Sequence, residues 1–348
     1  MKLPNNISNF KFQISNYLPL ILIFLIGATL RFYKLDWGEG YFFHPDERNI
    51  ASLATSVSLP IDQQFFTKGT FAYGSLIPYL VFGINYLLRP FLPALLFHDN
   101  FAFNILLLRI ISALFSALTI TIAYLAGNKL CGKKIGLLSA CLIAFSPGLI
   151  QAAHFGTFES ILTFFYLLAF FFSLRLAKDH YLGNFFPALL FIAMATAIKI
   201  NSLVLLPLLI LILFISGGIK NKLGSKLLIS LTGILIFLLL VPLLSPYYLT
   251  PGFKNMLLYE QQIVSGALDA FYTRQFFGAR PVIFPLFQIL PFLVNPLVVL
   301  LLPPLLFFYF LNLVRKLVRE KILPGELPEL MLLGFVAALF LPSAFLFA

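Results

Sequence analysis

The sequence contains few charged residues. Only 11% of its 348 residues are Asp, Glu, Lys or Arg, and 60% are hydrophobic, whereas roughly 25% of the residues in ordinary soluble domains are charged. Apolar runs of about 18 residues recur along the chain, which is long enough to cross a hydrocarbon core of about 30 Å. The composition therefore excludes a soluble globular protein and predicts an all-α polytopic membrane protein.

Metal-binding and nucleotide-binding motifs are also missing. Cys131 and Cys141 fall in a cytoplasmic turn and in a span, so no disulfide is expected, and their spacing is not that of a metal site. The 4 histidines stand on separate segments, which argues against a zinc site. No glycine-rich loop occurs that could hold a nucleotide phosphate. We therefore expect no cofactor; a divalent metal stays open, although nothing in the sequence indicates one.

The charge that the chain does carry is unevenly distributed. Fourteen of the 24 basic residues fall in short breaks between apolar segments or, as Lys2 and Lys11, in the N-terminal lead, and nine of the 13 acids fall on the opposite side or at its edge. Such basic breaks face the cytoplasm in multi-pass proteins. The net charge of +11 is therefore interpreted as orienting the chain in the plasma membrane with a cytoplasmic N-terminus, and it does not indicate a nucleic-acid partner. The basic clusters are Lys129/Lys133/Lys134, Arg175/Lys178, Lys220/Lys222/Lys226 and Arg315/Lys316/Arg319/Lys321.

Taken in order, the apolar segments predict about nine spans. The first is interpreted as a retained anchor, with Arg31 snorkelling at its outer end. Residues 34–100 then form a long first outer loop with juxtamembrane helices, and residues 245–281 form a second outer loop. One domain covers residues 1–348, and its apolar end is interpreted as that of a fragment or of a chain without later spans. The spans are expected at 17–33, 101–125, 135–149, 156–174, 185–198, 202–215, 227–244, 282–310 and 329–348.

The longest polar segment, residues 36–58, follows the first span and is rich in acids. Within it, His44-Pro45-Asp46-Glu47 predicts the start of a helix, because proline suits the first helical position and acids suit the first turn. Carboxylates held beside a membrane are candidates for a general base or a cation site. On these residues alone, a solvated loop helix with an acidic first turn is the alternative.

Charged residues at the edges of membrane spans are energetically costly and are candidates for function. Arg109, His154, Glu159 and Lys199 all map to the outer side, where Arg274 of the second outer loop joins them. Carboxylates and cations around an apolar groove would suit a substrate with a phosphate head and a lipid tail. The alternatives are that Arg109 and Lys199 only neutralise acids between helices, and that His154 is an interfacial polar residue.

Several short blocks, spread over residues 17–300, carry a resemblance to a known family. The blocks are His44-Pro45-Asp46-Glu47, Phe71-Ala72-Tyr73-Gly74-Ser75-Leu76, Arg109-Ile110-Ile111-Ser112-Ala113-Leu114, His154-Phe155-Gly156-Thr157-Phe158-Glu159, Ala195-Thr196-Ala197-Ile198-Lys199 and Tyr272-Thr273-Arg274-Gln275-Phe276. In their order along the chain they resemble the polyprenyl-phosphate-sugar-dependent membrane glycosyltransferases of the GT-C type, specifically the bacterial group similar to protein O-mannosyltransferases. The resemblance implies a GT-C-like helical bundle.

The resemblance also implies roles for individual residues. Asp46 would be the general base that takes the proton from an acceptor hydroxyl, and Glu47 would orient Asp46 or the acceptor. Negative charge develops on the lipid-phosphate leaving group, and cations would stabilise it. The residues expected to bind substrate are Arg109, Lys199, Arg274, His154, Tyr73, Tyr272 and Glu159, the last standing where the family often has aspartate.

These observations leave three functional hypotheses. The first is an inverting glycosyltransferase that moves a hexose or pentose from a polyprenyl-phosphate carrier to an acceptor protein, lipid or glycan on the outer face. The second is a transporter or lipid-linked-sugar flippase. Two observations argue against this hypothesis: the charges gather on one side of the membrane, and no inverted repeat is visible in the sequence. The third is a membrane scaffold, which leaves the acidic loop unexplained. The first hypothesis predicts that Asp46, Arg109, Glu159 and Lys199 converge on one outer cavity.

Overall fold

The computed structural model describes residues 5–57, 72–91, 99–179, 181–216, 223–269, 271, 274, 278–319 and 327–344. Within these ranges the regular structure is entirely helical, so the predicted all-α class is confirmed. The helices are α1 (Asn5–Phe32), α2 (Pro45–Ser56), α3 (Leu76–Leu88), α4 (Asn100–Cys131), α5 (Lys133–Ala144), α6 (Pro147–His154), α7 (Glu159–Asp179), α8 (Phe185–Ile198), α9 (Leu205–Ile215), α10 (Leu223–Leu244), α11 (Pro251–Val264), α12 (Leu290–Leu293), α13 (Pro296–Arg319) and α14 (Leu327–Ala344).

Several of these helices are built to lie in a membrane. Among the described helices, α4, α7 and α10 are each long and apolar enough to cross one. Helices α5 and α6 reach that length only together, as a single span bent by 52°. The other apolar helices, which include α8 and α9, have shorter apolar stretches of 10–17 residues. The chain is therefore a membrane protein, but the predicted number of about nine spans is not confirmed.

The bend between α5 and α6 is stabilised from inside the bundle. Pro147 cannot continue the hydrogen bonding of α5, so the last carbonyls of that helix need other donors. The guanidinium of Arg31, on α1, donates to the carbonyl oxygens of Ile143 and Ala144 at 2.8 and 2.9 Å, and its Nε donates to Ser116 Oγ at 2.7 Å. The prediction that Arg31 snorkels to the membrane surface is wrong, because this side chain is fully buried and is bound to the bend.

Replacing Arg31 with leucine is expected to lower the melting temperature of the purified protein in detergent. The substitution removes the donor for two buried carbonyl groups, each of which costs about 1–3 kcal/mol when left unpaired. The loss of monodisperse protein on size-exclusion chromatography after heating measures this effect. Arg175→Leu is the matched control, since the Arg175 side chain is 41% exposed on α7. Equal melting temperatures for the two variants would contradict the stabilising role of Arg31.

The described residues of the first outer loop, 34–57 and 72–91, pack onto the helices of the bundle. Helix α2 buries Ile50 and Ala51, and α3 buries Ile77 and Val81, all of which join one apolar cluster with residues of α4, α7 and α8. This packing fixes the position of α2, because its apolar face is covered by the longest helix of the described chain.

The second outer loop contains a helix that the sequence analysis did not predict. Helix α11 starts at Pro251, and the hydroxyl oxygen of Thr250 accepts a hydrogen bond from the Phe253 N–H group at 3.3 Å, which is a standard N-terminal cap. The ring of Phe253 packs on Tyr247 and Tyr248, with centroid distances of 5.4 and 4.4 Å. These contacts hold the start of α11 against the outer end of the bundle.

Candidate functional site

Asp46 and Glu47 lie in the first turn of α2, which begins at Pro45 as the sequence predicted. Successive side chains of a helix point about 100° apart, so the two neighbouring carboxylates have different environments. Glu47 is fully buried and faces α4, whereas Asp46 is half-buried. The geometry therefore separates the two acids that the sequence places side by side.

Glu47 forms a buried ion pair with Arg109 of α4. Arg109 Nε and Nη2 donate to the two carboxylate oxygens at 2.5 and 3.0 Å, which is a forked arrangement. The Nη1 atom donates to the carbonyl oxygens of Leu35 and Trp37 at 2.8 and 2.9 Å. Because Arg109 is 2% exposed and makes these four bonds within the protein, the geometry does not support the expected role in phosphate binding. It supports the alternative, in which Arg109 neutralises an acid between helices.

The indole of Trp37 covers the other side of this ion pair. Its ring centroid lies 4.5 Å from Arg109 Cζ, and its Nε1 donates to the carbonyl oxygen of His154 at 2.8 Å. The imidazole of His154 lies between the carbonyl oxygens of Ile150 and Tyr33, at 2.8 and 2.9 Å. His154 therefore joins the end of α6 to the end of α1. This placement supports a positioning role and not the expected contact with substrate.

Residues 155–158, between α6 and α7, connect the buried pair to the rest of the site. The Gly156 N–H group donates to Glu47 Oε1 at 3.1 Å. A Cβ atom on Gly156 would lie 2.9 Å from the same oxygen, so a larger residue would displace the carboxylate. Two residues later, the ring of Phe158 lies 4.2 Å from that of Tyr73. One short turn thus contacts both the acid of α2 and the segment that precedes α3.

Lys199 follows directly after α8, where the helix stops. The hydroxyl of Tyr248 donates to the carbonyl oxygen of Thr196 at 2.7 Å, and the N–H group of Gly74 donates to that of Ile198 at 2.8 Å. These donors come from outer segments and satisfy carbonyl groups that a helix end leaves free. A cation is favoured at this end of a helix by the helix dipole. The break therefore presents a lysine directly after the end of α8.

The segment before α3 approaches this break closely. A Cβ atom on Gly74 would lie 1.9 Å from the carbonyl oxygen of Ala197, so only glycine permits the contact. The ring of Phe158 lies beneath both Tyr73, as described above, and Lys199, whose Nζ is 5.3 Å from the Phe158 ring centroid. Tyr73 and Lys199, both predicted to bind substrate, therefore share one aromatic neighbour.

Glu260 of α11 is a site residue that the sequence analysis missed. Its carboxylate interacts electrostatically with the ammonium of Lys199 and with the carboxylate of Asp46. Burial raises the pKa of the Glu260 carboxyl above its ordinary value; Lys199 opposes this rise and Asp46 adds to it. The sequence does contain a signal for this position, because Phe253, Met256, Glu260 and Ile263 have the spacing of one helix face. That signal requires α11 to be recognised as a helix.

The remaining predicted site residues are Glu159, Arg274 and Tyr272. Glu159 is the first residue of α7 and is exposed, directly after Phe158. Arg274 donates to Asp269 at 3.0 Å in a surface ion pair whose side chains are 63% and 55% exposed, and within the described ranges no hydrogen bond or ion pair connects it to the other site residues. Tyr272 lies outside the described residues.

Asp46, Lys199 and Glu260 thus lie close enough to interact electrostatically, and Arg109 is bound to Glu47, the neighbour of Asp46. In the part of the chain that the structure describes, no group of three or more His, Cys, Asp and Glu side chains is arranged to hold a metal ion. The expectation that the site works without a cofactor stays a prediction. Chemically, the group offers the Asp46 carboxylate, which can accept a proton, the Lys199 ammonium, which can bind an anion, and the Glu260 carboxylate.

Comparison with known proteins confirms the resemblance inferred from the sequence. A family model described as dolichyl-phosphate-mannose-protein mannosyltransferase matches residues 85–245. The match includes Arg109, His154, Glu159 and Lys199, whereas Asp46, Glu47 and Glu260 lie outside it. No curated protein sequence matches the chain significantly.

Two solved structures share the fold. One is the protein O-mannosyltransferase Pmt1–Pmt2 complex of S. cerevisiae bound to the sugar donor, with a TM-score of 0.51 and 18% identity over 71% of this chain. The other is the oligosaccharyltransferase of Archaeoglobus fulgidus in the apo form, with a TM-score of 0.52 and 17% identity over 88% of this chain. The matches cover only 34% and 39% of those longer chains. The GT-C-like fold is therefore confirmed.

Proposed function

We propose that this chain is a membrane glycosyltransferase that uses Asp46 as a general base. One observation carries the proposal, namely the different environments of the two acids that begin α2. Glu47 is buried and bound to Arg109, whereas Asp46 is half-buried and forms no hydrogen bond or ion pair with any residue that the structure describes. The ion pair of Glu47 fixes the first turn of α2 and with it Asp46. A carboxylate that is fixed in this way, without a hydrogen bond or ion pair to the described residues, is suited to accept a proton from a substrate.

The proposed reaction transfers a sugar from a polyprenyl-phosphate carrier to a hydroxyl group. The acceptor oxygen attacks the anomeric carbon and forms the new glycosidic bond, while its proton passes to the Asp46 carboxylate. The bond between the anomeric carbon and the phosphate oxygen breaks, and its electron pair leaves with the polyprenyl phosphate. A single displacement of this kind inverts the configuration at the anomeric carbon. It applies equally to a hexose or a pentose.

Lys199 is the residue that we assign to the leaving phosphate. Its ammonium is only partly buried at the outer end of α8, and within the described ranges it forms no ion pair within 4.0 Å. Negative charge that develops on the phosphate is stabilised by a cation placed in advance. Arg109 is already bound to Glu47, so Lys199 is the better candidate of the two. The acceptor would be a protein, lipid or glycan at the outer face of the plasma membrane, with the N-terminus in the cytoplasm.

The proposal is tested by sugar transfer from a defined donor. Undecaprenyl phosphate carrying radiolabelled mannose is added to membranes from cells that express the chain, and the label is followed into lipid, glycan and protein fractions. The expected result is label in a new glycosidic bond and release of undecaprenyl phosphate, neither of which occurs in membranes without the chain. Donors carrying other hexoses and pentoses are assayed in parallel.

The same experiment separates the enzyme from the alternative of a flippase. A flippase moves the labelled donor across the membrane of a sealed vesicle and leaves the donor intact. Transport of intact donors, without transfer from any of them, would therefore overturn the proposed function. Transfer that starts from nucleotide sugars instead would contradict the proposed carrier.

A further inference from the structure

Glu260 is the polar member of an otherwise apolar helix face. At 3.6 residues per turn, Phe253, Met256, Glu260 and Ile263 fall on the same side of α11, and all four are buried or half-buried. The intervening residues, such as Lys254 and Gln261, are exposed. A carboxylate on the inward face of an amphipathic helix is costly unless something compensates for it. Its position therefore calls for a polar partner at the site.

The described residues supply only part of that compensation. Lys199 attracts the Glu260 carboxylate electrostatically, and Asp46 repels it. Within the described ranges, however, Glu260 forms no hydrogen bond and no ion pair within 4.0 Å. Its two oxygens are therefore available as acceptors within electrostatic reach of the proposed base and the proposed phosphate-binding lysine. The same face of α11 packs through Phe253 into the apolar cluster that contains Ile198, the residue before Lys199. Hydroxyl groups are the donors that such oxygens would accept from.

We propose that Glu260 binds hydroxyl groups of the transferred sugar and so determines which sugars the site accepts. This inference rests on the proposed function. The sugar is bonded to the phosphate, assigned to Lys199, and it is attacked by the hydroxyl that Asp46 activates. The sugar ring consequently lies next to both residues, and Glu260 is the acid that interacts with both.

The charge of Glu260 also defines the class of sugar. A carboxylate accepts hydrogen bonds from the hydroxyl groups of a neutral sugar, and such charge-assisted bonds are stronger than bonds between neutral groups. A uronic acid would bring a third carboxylate to Asp46 and Glu260, and like charges at close range repel each other. The site is therefore selective for neutral sugars and discriminates against uronic acids.

Equilibrium binding to the purified full chain in lipid nanodiscs tests this inference. The probes are tritiated farnesyl phosphate and its mannosyl ester. The glucosyl and glucuronosyl esters of farnesyl phosphate are compared as well, because they carry a neutral sugar and the corresponding uronic acid. For Glu260→Gln we expect the Kd of the mannosyl ester to rise about tenfold, as for the loss of a charge-assisted hydrogen bond. The Kd of farnesyl phosphate itself is expected to stay the same or to fall, because a negative charge near the phosphate is removed. The preference for glucosyl over glucuronosyl ester should shrink.

Asp269→Asn is the matched control, since Asp269 is an exposed acid of the same loop that pairs with Arg274. It should change none of these constants. If Glu260→Gln changes the Kd of farnesyl phosphate and of its mannosyl ester by the same factor, Glu260 only balances the charge of Lys199, and this inference is overturned while the proposed function stands. If the native chain binds neither compound, the proposed carrier is wrong and the inference falls with it.

Discussion

Asp46→Asn is expected to reduce sugar transfer at least about 10²-fold, which is the lower end of what a general base contributes. Asparagine has the shape of aspartate but cannot take the proton of the acceptor hydroxyl. Because Asp46 is half-buried and the α2 helix is held by Glu47, the variant should fold and should bind the donor as the native chain does. The measurement is the initial rate of transfer at saturating donor, together with the Kd of the donor.

Asp36→Asn is the control for this change. Asp36 is an exposed acid of the same outer loop, ten positions before Asp46 in the printed sequence, so the variant removes the same charge from the same region. Its transfer rate should equal that of the native chain. Native rates in Asp46→Asn, with equal amounts of protein in the membrane, would exclude Asp46 as the base and make the exposed Glu159 the next candidate.

Arg109→Met is expected to have the largest effect on stability, a loss of about 3–5 kcal/mol, because it leaves the Glu47 carboxylate buried without its partner. The same change removes the donors for the carbonyl oxygens of Leu35 and Trp37. The measurement is the melting temperature in detergent, with expression in the membrane as a second readout. We expect little correctly folded protein at the growth temperature.

The double variant Glu47→Gln/Arg109→Met distinguishes a structural role from phosphate binding. Replacing a buried ion pair by neutral groups of similar size is often tolerated, so the double variant should recover much of the stability that Arg109→Met loses. Its affinity for farnesyl phosphate should equal that of the native chain. A double variant that is stable but no longer binds farnesyl phosphate would show that Arg109 contacts the phosphate after all.

The sequence was informative where the signal is local. The bounds predicted for the fifth span, 185–198, are those of α8, and the helix start at Pro45 was predicted from proline and acids alone. Both predictions need only the hydropathy of the segment and the residue preferences of the first helical turn. The position of Lys199 directly after α8 follows in the same way.

The partners of the charged residues were not predictable, because they depend on distant segments. The carbonyl groups of α5 that bind Arg31 lie more than a hundred positions away, and sequence patterns do not show which carbonyls a proline bend releases. Arg109 and Glu47 are separated by 62 positions. The resemblance placed both at the site, but only the geometry assigns them to each other. The sequence does not identify Glu260 as a site residue, because its segment is bounded by prolines and mixes polar with apolar residues, a composition that is also typical of a loop.

The position of Trp37 has a practical consequence. It is the only tryptophan of the chain, and its indole lies on the guanidinium that holds the acidic end of α2. Its emission therefore comes from one known place, and a change at the Glu47–Arg109 contact alters the surroundings of that fluorophore first. The unlabelled protein thus carries an intrinsic optical reporter for the geometry of the proposed base.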